Sequence, residues 1–317
     1  MTGIRWVADG FNGLADFTTL PCEPKAPAHG EVTVAIRAAG VNPADLKHVA
    51  RESDPALLPM PIGYEIAGVV TAVGPDTEIA SGPVAVGDRV AAFRVHGGYA
   101  TAMTIPADKA LALADSADDA QAAGLLLAGC TAAEMLDRSQ AQSGDVVLLH
   151  GASGAVGATF LQLARRAGIT VVGTAGLAQF DSVSRFGGIP VAYGPGLVRR
   201  IREATEAATA GGPIVAALDA AGGASATKAS LELVADRSRI ITVVDRKAAA
   251  EHGFAALSGG APESAAYRDG VRGHLLDLLA AGELTVPISR TFPLAQAVDA
   301  LRLVTSGHAH GKVILAV

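Results

Sequence analysis

The chain has 317 residues, half of them apolar, with 37 Gly and few aromatics. That length suggests two lobes, with a large core packed through small residues. A formal charge of −6 leaves no basic patch for nucleic acid, and no apolar run is long enough to span a membrane.

Residues 1 to about 115 alternate like strands with turn residues between them. Candidate strands are Ile4–Val7, Val32–Ala38, Ile66–Val73, Arg89–Phe93 and Tyr99–Ile105. Pro21, Pro24, Pro27, Gly82-Pro83 and Gly87-Asp88 punctuate them. This part reads as a compact β domain. The opening Met1-Thr-Gly-Ile-Arg-Trp6 shows no signal-peptide pattern. Cys22 and Cys130 are far apart and lack metal-type spacing, so no disulfide framework or zinc ribbon is implied. A soluble cytoplasmic α/β protein is the expectation.

From about Asp118 the pattern changes. Residues 118–141 read as helix. Strands Val146–Leu149, Val171–Thr174, Val191–Tyr193, Ile214–Asp219 and Ile240–Val244 then alternate with helical stretches, Leu197–Ala208 and Ala226–Ala235 being the clearest. Such alternation predicts a doubly wound parallel sheet covered by helices. Ligands of such sheets sit beyond the carboxyl ends of the strands, which puts Thr174, Asp219, Val243 and Val244 forward as contacts. The tail predicts a helix over Glu263–Ala281, a strand Ile288–Phe292, a helix Ala295–Thr305 and a strand Lys312–Val317.

The most informative stretch is the apolar run Asp145–His150 followed by Gly151-Ala-Ser-Gly-Ala-Val-Gly157. A helical pattern follows, with Val156, Phe160, Leu163, Ala164 and Ala167 on one side and Gly168 as its stop. Strand, glycine turn and helix open a dinucleotide-binding unit: glycines let the backbone approach a pyrophosphate, and the helix N-terminus offers it free N–H groups. In the G-x-G-x-x-G pattern Ala152 takes the first glycine's place, with Gly154 and Gly157 in the other two. A purely structural turn is the competing reading. Ala152, Ser153, Gly154, Ala155, Val156 and Gly157 are the candidate cofactor cradle.

Several stretches together resemble one family: Ala39–Lys47 (AGVNPADLK), Gly63–Val70 (GYEIAGVV), Gly87–Val90, Gly97–Ala100, the Gly151–Gly157 turn and Gly311–Val313, in that order. Medium-chain dehydrogenase/reductases carry this series, and the zinc-free quinone oxidoreductase branch is the nearest in pattern. The resemblance implies a GroES-like β-rich catalytic domain, a Rossmann domain inserted in it, an active site in the cleft between them, and a homodimer. The expected boundaries are 1–124, 125–260 (Rossmann) and 261–317 (return to the catalytic domain).

Zinc-dependent members carry Cys near Asn42, His at Tyr64 and Cys near Leu127; none of these ligands is present here, nor is a four-Cys cluster. Scattered His48, His96, His308 and His310 remain. No metal site is expected. Hydride transfer must then suffice, which suits quinones and enones, whose own carbonyls stabilise the developing charge.

By resemblance Asn42 lines the nicotinamide and substrate; a turn Asn before Pro43 is the alternative. Thr131 places a hydroxyl near the nicotinamide, or bonds its own helix backbone. Tyr64 points into the cleft and can polarise a substrate oxygen, or is a buried structural Tyr. Asp45 and Lys47 resemble a recurring pair of the branch, or form a surface pair. Lys312 reaches the cofactor phosphates, or is a solvated Lys before an edge strand. NADP(H) is the expected cofactor: Gly173–Ala178 holds no acid where NAD-specific sites bind the ribose. Thr174 is available there, and Tyr193 matches a ribose-side Tyr of the quinone reductases. Many NADPH-using relatives have a Lys at Phe180, so Arg185 or Arg199 would supply the positive charge. Two alternatives remain. One is an enoyl-thioester reductase, whose relatives often place a Tyr in the loop that here spans His48–Met60 and has none. The other is a non-catalytic NADPH-binding sensor or structural protein.

Overall fold

The computed structural model describes residues 3–209 and 211–317. It divides into two compact units: 1–127 with 273–317, and 128–272. The expected boundaries at 124/125 and 260/261 fall short of these. The reason is that two long helices run through the divisions without a break.

The first unit carries β1 (Gly3–Ala8), β2 (Phe17–Cys22), β3 (Glu31–Val41), α1 (Pro43–Val49), β4 (Met60–Pro61), β5 (Glu65–Val73), β6 (Glu78–Ile79), β7 (Gly82–Pro83), β8 (Arg89–Phe93), β9 (Ala102–Pro106) and β10 (Ala110–Ala112). Helix α2 (Asp119–Ser139) leads into the second unit. There follow β11 (Val146–His150), α3 (Ala155–Arg166), β12 (Thr170–Ala175), α4 (Phe180–Arg185), β13 (Gly188–Ala192), α5 (Leu197–Thr209), β14 (Ile214–Asp219), α6 (Ala224–Leu233), β15 (Ile240–Thr242), α7 (Arg246–His252) and β16 (Ala255–Ala256). Helix α8 (Pro262–Ala280) leads back to β17 (Ile288–Pro293), α9 (Ala297–Thr305) and β18 (Lys312–Ala316).

The main sheet of the first unit runs β10-β8-β5-β3-β18-β17, with β9 also on β3. Its order shows why the tail belongs to this unit: β18 pairs antiparallel with the second half of β3, from Val313 opposite Val41 to Ala316 opposite Ala38. Buried Val32, Val34, Ile66, Val90, Val313 and Leu315 form its core.

The second unit's sheet runs β13-β12-β11-β14-β15-β16, all parallel. The order reverses direction between β11 and β14, and ligands of such sheets bind at that switch point. Every residue of β11 is buried, as expected of a strand covered on both faces. Val146 and Leu148 cluster with Leu197 and Ile201 of α5 and Ala229 of α6; Val147 and Leu149 point to the opposite face. Helix α3 ends as anticipated, with Gly168 in the left-handed region (φ +71°) just past its last turn.

Three expected strands are displaced. Strand β9 starts at Ala102 rather than Tyr99, because Tyr99 N–H and the Gly97 and Gly98 N–H groups are held by Ile62 and Gly63 carbonyls. Strand β13 ends at Ala192, leaving Tyr193 in a loop. Strand β15 stops at Thr242, whose hydroxyl accepts from Val244 N–H (3.2 Å) and Asp245 N–H (3.1 Å) and so turns the chain away.

Candidate active site

The glycine turn leaves the carboxyl end of β11, at the switch point. A Cβ on Gly157 would run into the Gly151 carbonyl oxygen and come within 2.7 Å of Ala152 backbone; one on Gly173 would lie 2.6 Å from the Ala152 methyl. Only glycine permits this close crossing of strand, turn and helix. Ala152 N–H is held by Thr174 O (3.0 Å) and Gly154 N–H by Gly151 O (3.1 Å). Among the described residues, the N–H groups of Ser153, Ala155, Val156 and Gly157 donate to no acceptor in the chain. Four such donors at a helix start suit a pyrophosphate, so the residues present fit the expected dinucleotide.

Around this turn the strand ends are built for shape. Thr174 is buried; its hydroxyl accepts from Gly151 N–H (3.3 Å) and lies 3.3 Å from His150 Nδ1. That corrects the expectation that Thr174 faces a ligand: its hydroxyl braces the turn from beneath. Burial drives His150 down to about 4, against the pull of Asp219, so the imidazole is neutral near pH 7. Asp219 accepts from Ala221 N–H (3.0 Å) and Gly222 N–H (2.7 Å) and, on its other oxygen, from the Thr242 hydroxyl (2.9 Å). It shapes the loop after β14. Val243 and Val244 follow β15 at the same end of the sheet, Val244 exposed. Tyr193 is 67% exposed, and its loop is fixed by Arg200, whose guanidinium donates to the carbonyls of Ala192 (2.7 Å), Gly194 (3.2 Å) and Pro195 (2.6 Å).

In the first unit Asn42, Glu65 and Lys312 form a buried network. Lys312 is 1% exposed; its ammonium donates to Asn42 Oδ1 (2.7 Å) and Glu65 Oε1 (2.5 Å). Neither expectation for Lys312 holds. It is not solvated before an edge strand, since β18 lies inside the sheet, and its donors are turned on Asn42 and Glu65 rather than on a phosphate. Glu65 also accepts from Asn42 Nδ2 (2.9 Å) and, on Oε2, from Leu127 N–H (2.7 Å). Asn42 Nδ2 further donates to Gly40 O (3.4 Å). Both amide hydrogens are thus engaged inside the chain, and only an acceptor lone pair remains. In this arrangement Asn42 has no amide hydrogen left to donate to a substrate carbonyl.

Asp45 is no surface residue. It is buried, and its Oδ2 accepts from the Tyr99 hydroxyl (2.7 Å) and Asn42 N–H (2.8 Å). Burial raises its carboxyl to about 7, although these hydrogen bonds oppose the shift. Lys47 is exposed and forms no pair with it.

Tyr64 is partly exposed, just ahead of β5. Its ring meets His48 edge-on at 5.6 Å between centroids and His96 at 5.3 Å. Its hydroxyl makes no hydrogen bond among the described residues. Burial first, then the Asp45 charge, push its pKa well above the ordinary phenol range. Burial first, then His48 and Arg94, lower that of His96. Thr131 is buried within α2, in the second unit. The sequence reading missed the Glu65–Lys312 pair and the two imidazoles flanking Tyr64. The first needed the pairing of β18 with β3, the second the looping of residues 95–99 back onto 62–64 and the packing of His48 from α1 against Tyr64, and neither has a local signature.

The model of the alcohol dehydrogenase GroES-like domain matches residues 28–115, and that of the zinc-binding dehydrogenase matches residues 197–315. Phthioceranic/hydroxyphthioceranic acid synthase of Mycobacterium tuberculosis is 33% identical over 324 residues, covering 95% of this chain; the chain spans 14% of that synthase's length. A quinone oxidoreductase of Pseudomonas syringae superposes with a TM-score of 0.83 at 26% identity, over 99% of this chain and 100% of the other. A mycobacterial protein solved in complex with NADPH superposes at 0.82 with 25% identity, over 100% of both chains. With two family models in chain order, near-complete structural coverage and the glycine turn at the switch point, the chain belongs to the medium-chain dehydrogenase/reductase superfamily, where it groups with the zinc-free quinone oxidoreductase branch.

Proposed function

We propose that the protein is an NADPH-dependent oxidoreductase that transfers hydride to a quinone or an α,β-unsaturated carbonyl without a metal, as a cytoplasmic homodimer. The observation that carries this reading is Tyr64. It stands where zinc-dependent relatives hold a ligand, and its hydroxyl is free of internal bonds and keeps its proton throughout the neutral range.

Bound NADP(H) supplies the hydride. The N–H groups of Ser153, Ala155, Val156 and Gly157 would hold its pyrophosphate, and Tyr193, Val243 and Val244 would contact it. The Tyr64 hydroxyl donates to the substrate oxygen on which charge develops. Thr131 positions, and Asn42 contributes only an acceptor. A quinone needs little more, because its second carbonyl spreads the charge and water can provide the proton. An enone leans harder on Tyr64, since its enolate is less stable.

A second reading, reduction of an enoyl thioester, is favoured by the match of 95% of this chain to a segment of an acid synthase. A panel of simple quinones, enones and enoyl thioesters, with NADPH oxidation as the readout, separates the readings. Turnover with quinones or enones that exceeds turnover with enoyl thioesters is expected. The reverse order would install the second reading, and tight NADPH binding without turnover of any would leave a sensor.

A further inference from the structure

Tyr64 is held from two sides. His48 belongs to α1 and His96 to the loop after β8, and their rings meet each other at 5.7 Å between centroids as well as meeting Tyr64. These two segments are far apart in sequence, and one side chain joins them. Asp45 Oδ2 accepts from Asn42 N–H (2.8 Å) at the start of α1 and from the Tyr99 hydroxyl (2.7 Å) further along the loop. The loop in turn runs against the Tyr64 segment. Val95 N–H donates to Tyr64 O (3.2 Å), Gly97 N–H to Gly63 O (3.1 Å) and Tyr99 N–H to Ile62 O (2.9 Å). A Cβ on Gly63, at φ +104°, would lie 2.5 Å from the Tyr99 ring, so ring and segment touch directly.

As a purely structural residue Asp45 is a costly choice. It is 2% exposed, and its Oδ1 has no hydrogen-bond partner. Among the described residues no cation pairs with it, because the Lys312 ammonium is turned on Asn42 and Glu65. Lys312 and Glu65, the charged groups that act on it, pull its carboxyl in opposite directions. A buried carboxylate held this way lowers stability, but its charge makes both hydrogen bonds about twice as strong as neutral ones. We infer that Asp45 is a positioning residue: it ties α1 to the loop that follows β8 and, through His48 and His96, sets the ring and hydroxyl of Tyr64 for the substrate. This rests on the reading above, in which that hydroxyl meets the reacting carbonyl.

The test is run at pH 8, where the carboxyl, raised by burial to about 7, is ionised. The folded chain holds this proton above the ordinary 3.8, so the stability cost appears as the pH rises past 3.8 and is complete above 7. Asp45→Asn can accept both bonds without a charge. It should therefore unfold at a urea concentration no lower than the wild type, yet show a lower kcat for an enone. Asp45→Ala accepts neither bond and should lose on the order of tenfold. A residue that only supported the fold would not set stability and turnover in opposite orders. In a Tyr64→Phe background the same substitutions should be silent. Tyr99→Phe cuts the tie from the loop side, with the same direction of loss, and replaces Asp45→Ala if that variant does not fold. A readout apart from turnover is the proton NMR of the His48 and His96 imidazoles, assigned with His48→Gln and His96→Gln. Asp45→Ala should move both signals toward their positions in Tyr64→Leu. If Tyr64→Phe costs turnover and Asp45→Ala does not, or costs as much again in the Tyr64→Phe background, or leaves both imidazole signals in place, the inference is overturned while the reading stands. If Tyr64→Phe costs nothing while the signals move, the reading of Tyr64 fails and Asp45 still sets its ring.

Discussion

A phenol that makes no bond inside the chain is available to a ligand, and Tyr64 is the candidate catalytic residue of which this holds. Asn42 was expected from the sequence to line the site; that its amide donates to Glu65 was not legible, because Glu65 arrives through tertiary folding. The same holds for Thr174, whose hydroxyl braces the turn. Tyr64→Phe removes one hydrogen-bond donor and leaves the ring in its edge-on contacts with His48 and His96. A neutral hydrogen bond to a developing charge is worth about 1–3 kcal/mol, or roughly 10- to 100-fold in kcat/KM. The loss should be larger for an enone than for a quinone, at unchanged NADPH affinity. Complete loss of quinone reduction in folded, NADPH-binding protein would make Tyr64 an obligatory acid, and no loss with either substrate would make it a packing residue.

At the scale of elements, strands with continuous apolar runs were legible because burial on both faces leaves no other composition. Strand ends were not, because a side chain from elsewhere sets them: Thr242 ends β15 with its own hydroxyl, and Arg200 holds the loop after β13. The short α1 escaped notice too, since seven residues are too few to show a period. The junction of β3, β5 and β18 was invisible, and it holds the buried Lys312–Glu65 pair, 1% and 0% exposed at the side chain. A buried pair contributes little beyond an apolar replacement, but breaking it strands a charge, at a cost of about 3–5 kcal/mol. Lys312→Met should therefore lower the free energy of unfolding by that amount in urea titration. Adding Glu65→Gln should restore a large part of the loss, because the stranded charge is then gone. Strictly additive losses would mean that the two side chains are not coupled, contrary to their 2.5 Å contact.

For the whole molecule, the two-unit organisation was legible from the shift in periodicity near Asp118, and the return of the tail from its resemblance to a known family. The strand order was not readable from local pattern; it follows from the pairings of β14 beside β11 and β18 beside β3. On that order the ribose of a bound dinucleotide would lie beyond β12, next to the switch strand. The segment after β12 is Gly176-Leu177, with no carboxylate to accept ribose hydroxyls or to repel a 2′-phosphate. A Cβ at Gly176 would lie 3.4 Å from the Tyr193 hydroxyl, so the Tyr193 loop packs against the segment after β12, and Arg199 follows that loop in the first turn of α5. Arg199 pairs with Glu203 at 2.9 Å, but both are exposed, 71% and 58%, and such a pair holds a cation weakly. A 2′-phosphate can therefore draw Arg199 away, whereas Arg185 lies over the Phe186 ring at 4.8 Å. The expected outcome is a kcat/KM at least about tenfold higher for NADPH than for NADH, a difference of about 1.4 kcal/mol. Arg199→Gln should erode the preference by raising KM for NADPH alone. Glu203→Gln, which frees the guanidinium, should sharpen it. A wild-type ratio near one, or one that favours NADH, would sink the assignment of NADPH. A high ratio that Arg199→Gln leaves intact would move the phosphate contact to Arg185.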